Sequence, residues 1–200
     1  MLLTPTLIHE AIRRYGQPVE VETIVEFKEW EWSYLGPSVS KKRFHDLTLF
    51  IHPDEAKDRF VTIQKPYYSV LEDISWLFRA PSGGLRPGET IEECAYREAL
   101  EETGLQIQLE QFVLICKARI VVEKHSMVPW QSLVFTANAI GGKLEPQDTS
   151  EISNVAVHTV QEMQGPIRNA LLRSGWGGFR YRVFLTDNTF EALYSRPGGP

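Results

Sequence analysis

The chain has 200 residues, 42% of them hydrophobic, which suits one domain with a real core and a modest extension and excludes an unstructured low-complexity chain. Its net charge of −5 argues against an electrostatically driven nucleic-acid binder, which would carry a basic patch or stripe. The opening stretch MLLTPTLIHEAIRRYG has neither a long apolar run nor a small-residue cleavage site, so neither signal peptide nor membrane span is expected. Cys94, inside a helical stretch, and Cys116, inside an apolar strand-like run, both read as buried and lack metal-ligand spacing, as thiols of a reducing, cytoplasmic compartment would.

From Thr4 to Tyr15, the positions Leu7, Ile8, Ala11, Ile12 and Tyr15 have helical spacing, with Thr4-Pro5 as a start and Gly16 as a stop. This predicts a short amphipathic helix. Val19, Val21, Thr23, Val25 and Phe27 then alternate with Glu20, Glu22, Ile24 and Glu26, the period of a half-buried strand. The apolar positions next shift register to Trp30, Trp32 and Tyr34, which predicts a bend near Lys28-Glu29 and a β extension outside the main fold. That aromatic row has two readings, a stacking surface for a nucleobase or an ordinary core or dimer seam. Phe44–Ile51 and Phe60–Gln64 read as strands joined by a polar loop, and Trp76–Arg79 as a third strand leading to Pro81.

The next stretch, GGLRPGETIEECAYREALEETGL from Gly83 to Leu105, organises the chain. Glu89 to Thr103 lacks Gly and Pro, is rich in Glu, Ala and Leu, and stops at Gly104, so it reads as one helix of roughly four turns. Pro87-Gly88 reads as a turn before it, and Glu89 is placed to meet the free amides and positive dipole of the helix start. Ile91, Cys94 and Ala95 share one side, and Glu98, Glu101 and Glu102 continue it a turn later. Three carboxylates at such spacing repel one another, and a hard divalent cation is their natural counter-charge. Arg97, four residues before Glu101, is placed to orient part of the cluster, while Gly83-Gly84 lets backbone amides approach a ligand closely.

Beyond it, Ile107–Val122 is apolar and β-prone, as two strands or one long bent strand, and Leu133–Ile140 is another. His125, between them, reads as a surface residue. Gly141–Glu151 is a loop carrying Glu145, Asp148 and Glu151, followed by the strand-like ISNVAVHTV and a helix from about Gln161 to Arg173. Tyr181–Leu185 reads as a short strand or helix cap, and the tail from Ser195 as loose.

Gly83, Glu89, Arg97-Glu98, Glu101-Glu102 and Gly104, with aliphatic Leu105, match the Nudix box in residue and spacing, so the chain resembles the Nudix hydrolases. The resemblance implies an α/β (α+β) fold with a mixed β-sheet sandwiched between helices. Residues 1–40 would be the helix and β extension, 41–194 the Nudix domain and 195–200 the loose tail. It implies hydrolysis of a diphosphate linkage in a nucleotide-type small molecule, with Mg2+ or Mn2+ held by Glu98, Glu101 and Glu102. Arg97 would orient the cluster, Gly83 and Glu89 would shape the loop and helix start, and Gly83, Gly84 and Arg86 would face the substrate phosphates. Glu151, before the last strand, is the candidate for a further metal ligand or the base that activates water, with Glu145 in reserve. Neither nucleic acid nor membrane is an expected partner. Some members use N-terminal strands for dimer contacts, which would place a homodimer contact at residues 19–34. The markers of the ADP-ribose, diadenosine polyphosphate and NADH subgroups are not met; the N-terminal extension leans toward ADP-ribose or nucleotide-sugar substrates, and Arg86 in place of a common acid leans away. A (d)NTP pyrophosphohydrolase and a nucleotide-sensing module without turnover are the alternatives.

Overall fold

The computed structural model describes residues 3–66, 75–125 and 127–195. Helix α1 (Pro5–Tyr15) starts where Thr4 Oγ1 accepts the Leu7 amide, with proline in its first turn. Strand β1 (Val19–Phe27) alternates as its sequence does, and it pairs parallel with β5 (Leu105–Val122) along its whole length. The N-terminal strand is therefore the outer strand of the central sheet, not an appendage beside it.

The aromatic row that follows is helical, contrary to the strand expected there. Glu29–Glu31 forms a 3-10 turn that runs into α2 (Trp32–Ser40). Trp30, Trp32 and Tyr34 alternate, but Trp32, Leu35 and Val39 recur at helical spacing, and Leu35 is buried in the core. Strands β2 (His45–His52) and β3 (Arg59–Gln64) lie where the sequence places them. Trp76–Arg79 forms no strand; only Arg79 makes an isolated bridge, to Ile63. The short β4 (Ser82–Gly83) pairs with β2 and delivers the chain to α3 (Ile91–Thr103).

Glu89 does not cap α3. Thr90 does, accepting the Glu93 amide while the Glu93 carboxylate reaches back to the Thr90 amide, a reciprocal capping box. The helix ends at Gly104, whose φ of 76° is the left-handed conformation that spares a side chain. A Cβ there would also meet the Glu145 carbonyl oxygen at 2.2 Å, because the 143–152 loop closes on this end of the helix. β5 is one long strand whose register shifts near Leu109 and Phe112 carry it from one core to the other. β6 (Val128–Gly142) and β7 (Asn154–Thr159) follow. Then α4 (Val160–Glu162) passes through a π-helical turn (Met163–Ile167) into α5 (Arg168–Arg173), the wide turn falling where Pro166 offers no N–H. Tyr181–Leu185, expected as a strand or cap, lies inside α6 (Gly177–Tyr194), an 18-residue helix. Its residues Phe179, Tyr181, Val183, Leu185 and Phe190 are all buried, so no single apolar stripe betrays it.

The main sheet has the order β1-β5-β6-β2-β4, and β3 pairs with β7 in a second, two-stranded sheet. On one face of β2, Leu47, Leu49 and Ile51 pack with Ile91, Cys94, Ala95 and Ala99 of α3 and Ala11 of α1. On the other, Phe50 joins Phe60, Phe179 and Phe190 in the core beneath α5 and α6. The mixed sheet is thus sandwiched between helices. Among the described residues no helix is long and apolar enough to cross a membrane. The expected loose tail lies beyond the described residues, apart from Ser195.

Candidate active site

The acidic end of α3 faces a cleft of about 1430 Å³. β4 brings Gly83 so close to the helix that a Cβ on it would lie 1.8 Å from Cδ of Glu98, so the bare backbone gives that carboxylate its place. Arg97 ties the surroundings together. Its Nε and Nη2 donate to Glu89 at 2.5 and 2.9 Å, its Nη1 to Glu98 at 2.6 Å and Glu101 at 3.1 Å, and Nη2 also to the Gly84 carbonyl at 3.1 Å. Glu89 is held below the usual carboxylate range, chiefly by that bond to Arg97. Burial pushes Glu98 up, against the pull of the Arg97 hydrogen bond and with the push of neighbouring Glu102.

Arg86 reaches Glu101 at 3.1 Å, and its backbone amide donates to Glu89 at 2.7 Å. Glu102, the most buried of the three acids at 3% exposure, accepts the Ser82 amide at 2.7 Å on one oxygen and meets Lys65 Nζ at 3.0 Å on the other. The same ammonium lies 2.9 Å from Glu151. Glu151 therefore joins the box through Lys65. Glu145 does not: it pairs with Lys143 on the surface, away from the cleft. The loop bearing Glu151 is docked on the box helix through its backbone, Glu145 N donating to Thr103 O and both Gln147 N and Asp148 N to Glu101 O, each at 3.0 Å.

Sequence reasoning missed Lys65, Ser82 and the opposite wall. Lys65 merely follows a strand, and nothing in its spacing marks it. The far half of the cleft is built by α2 and α6. Tyr34 and Trp176 face it with ring centroids 6.2 Å apart, and Trp176 stacks on Phe179 at 4.9 Å. Of the expected aromatic row, Trp30 instead packs edge-on against Trp176, and Trp32 stacks on His125 at 3.8 Å, outside the cleft lining. The polar floor between the two halves is Asp46, paired with Arg182 at 2.8 Å and accepting from Trp130 Nε1 at 3.2 Å.

Among the described residues no three histidine, cysteine, aspartate or glutamate side chains converge into a ready metal cage. A finished cage is not what magnesium requires, since it takes one or two carboxylates and completes its shell with water and substrate phosphates. Glu98, Glu101 and Glu102, all lining the cleft, supply hard oxygen donors of that kind, and they fit such an ion.

A strand ending in glycines, a helix bearing this acid cluster and a returning loop, set at one edge of an α/β/α sandwich, are the arrangement of the Nudix fold. A family model of the NUDIX domain matches residues 43–174, most of the chain, and the chain belongs to that family. The NAD-capped RNA hydrolase NudC of Chromobacterium violaceum is 29% identical over 89 residues, which cover 44% of this chain but only 31% of that protein. A UDP-X diphosphatase structure superposes with a TM-score of 0.54 at 11% identity, covering 83% of this chain and 72% of its own. A NUDIX hydrolase from Nitrosomonas europaea gives 0.52 at 18% identity, over 78% and 91%. These structural likenesses show the shared fold.

Proposed function

We propose that the protein uses Mg2+ or Mn2+ to hydrolyse a diphosphate linkage in a nucleoside diphosphate-linked small molecule, of the ADP-ribose or nucleotide-sugar type. The observation that carries this reading is one cleft with the acids of α3 and the Gly83-Gly84 backbone at one end and an aromatic wall at the other. A diphosphate suits the first end and a nucleobase, through Tyr34 and Trp176, the second. When bound, the divalent ion would neutralise phosphate charge and acidify a water.

The chain's own residues have separable tasks. Glu98, Glu101 and Glu102 hold the ion, and Arg97 fixes two of them while anchoring Glu89. Gly83, Gly84 and Arg86 lie beside the phosphates, and Glu151 takes the proton of the attacking water. Aromatic and polar groups around Asp46 and Arg182 receive the remainder of the substrate. The net charge of −5 supports a small nucleotide over a nucleic-acid polymer. The buried free thiols of Cys94 and Cys116 support a cytoplasmic setting. A homodimer through residues 19–34 belongs to the same proposal, supported by the outer position of β1 and the exposure of Ile24, Trp30 and Tyr34.

A panel of nucleoside diphosphate sugars, dinucleotides and nucleoside triphosphates with Mg2+ or Mn2+, read by phosphate release after phosphatase coupling, tests the reaction. Cleavage of a diphosphate-linked compound by the wild type and its loss in Glu102→Gln are expected; equal cleavage by the variant would sink the site assignment.

A further inference from the structure

Each acid of the box has a protein cation beside it, but the cations are not held alike. Arg97 is fixed by both oxygens of Glu89, the Gly84 carbonyl, Glu98 and Glu101. Its guanidinium keeps its charge and its fork at any working pH. Lys65 is different. Its ammonium, at the end of a flexible four-carbon stem, is held by Glu102 at 3.0 Å and Glu151 at 2.9 Å, and no other hydrogen bond or ion pair of its side chain is seen among the described residues.

Its position explains its presence. The side chain of Glu102 is 4% exposed and that of Lys65 9%, so without the ammonium Glu102 would be a buried charge with only the Ser82 amide on its other oxygen. The Glu151 carboxylate, 65% exposed, would lose its side-chain tie to the box and would repel Glu102. A divalent ion held by Glu98, Glu101 and Glu102 competes with that ammonium for Glu102 and brings twice the charge, so it gains where the ammonium loses.

We propose that Lys65 is a built-in counter-ion of the box, which holds Glu102 and Glu151 together in the metal-free protein and is displaced when a divalent ion binds. The inference rests on the metal reading given above. Displacement frees the Glu151 carboxylate from the ammonium, so that arrival of the ion and release of the base are one event. Lys65 is thus a positioning residue whose removal favours metal binding while weakening the metal-free fold.

Lys65→Gln and Lys65→Arg, beside the wild type, test this by Mn2+ titration followed through the free-ion EPR signal and by thermal melts with and without Mn2+. Lys65→Gln is expected to bind Mn2+ about tenfold more tightly, to melt below the wild type without metal, and to match it at saturating Mn2+. Lys65→Arg, which keeps the charge, stays within threefold of the wild-type affinity. Unchanged or weaker Mn2+ binding by Lys65→Gln, or a melting deficit that Mn2+ does not repair, overturns the counter-ion role and leaves the metal reading standing. Absence of binding by all three proteins overturns both. A measurement on the wild type alone covers a variant that does not fold: reductive methylation mapped by mass spectrometry should label Lys65 several-fold faster with Mg2+ than without, and equal or slower labelling rejects the displacement.

Discussion

Replacing Gly83 with alanine asks whether the bare strand backbone sets the place of the Glu98 carboxylate. The added Cβ would lie 1.8 Å from Cδ, 1.9 Å from Oε1 and 2.1 Å from Oε2 of Glu98, where ordinary contact begins at 3.4 Å. The carboxylate must retreat by about 1.5 Å, a displacement of the size that costs roughly 100-fold in rate when it moves a catalytic group. Retreat strains its 2.6 Å bond to Arg97 in a side chain only 13% exposed. Losing that charge-assisted bond costs about 2 kcal/mol, partly offset by about 0.5 kcal/mol from the stiffer unfolded chain. The backbone at Gly83 is not left-handed, so alanine adds no further strain there. The expected result is a melting temperature lowered by about 5 °C beside a kcat lowered about 100-fold. Gly84→Ala, whose Cβ would first meet the Arg43 side chain, at 2.5 Å, and not an acid of the box, should lose less than tenfold. Steady-state kinetics on a cleaved substrate and thermal melts suffice. A Gly83→Ala enzyme with kcat within threefold of the wild type would refute the reasoning.

Glu31, 2% exposed, accepts the amides of Gly177 at 3.0 Å, Gly178 at 2.8 Å and Lys28 at 2.8 Å, so it caps α6 from the N-terminal segment. Glu31→Ala should cost about 2 kcal/mol by urea denaturation, and a midpoint equal to the wild type would show that water replaces the carboxylate. Glu151→Gln should lower kcat by at least about 100-fold while Glu145→Gln leaves it within twofold; the reverse order would transfer the base to Glu145. Burial holds His45, His52 and His158 below the usual imidazole range. Their folded values are depressed, so as pH falls below about 6.5 the unfolded chain takes up protons that the folded protein refuses. Stability should therefore fall by up to about 1.4 kcal/mol per histidine per pH unit, and a urea midpoint that stays level between about pH 7 and 5.5 would contradict the burial of neutral rings.

The box was legible because its chemistry is written at helical spacing: Arg97, Glu98, Glu101 and Glu102 must share one end of one helix, and Gly104 must close it. Most strands were legible for the same local reason, alternation, which β1 keeps from Val19 to Phe27. The failures lie where local pattern and tertiary environment disagree. Trp30, Trp32 and Tyr34 alternate, but the capping of α6 by Glu31 and the packing of Leu35 turn that segment into helix. In α6 the glycines at its start and the aromatic and β-branched run that follows disfavour helix locally, yet the helix is enclosed on several sides and its amides are met by Glu31. The site divides along the same line. Its acids come from one turn of α3, whereas Lys65 and Glu151, which share an ion pair, stand 86 residues apart in the chain. No periodicity relates such positions; the pairing of β3 with β7, which carries Gln64 beside Asn154, and the docking of the 143–152 loop on α3 bring them together. A motif can therefore state the charge that a site concentrates and, in Arg97, part of what holds it, while Lys65, the cation between Glu102 and Glu151, is supplied by the topology.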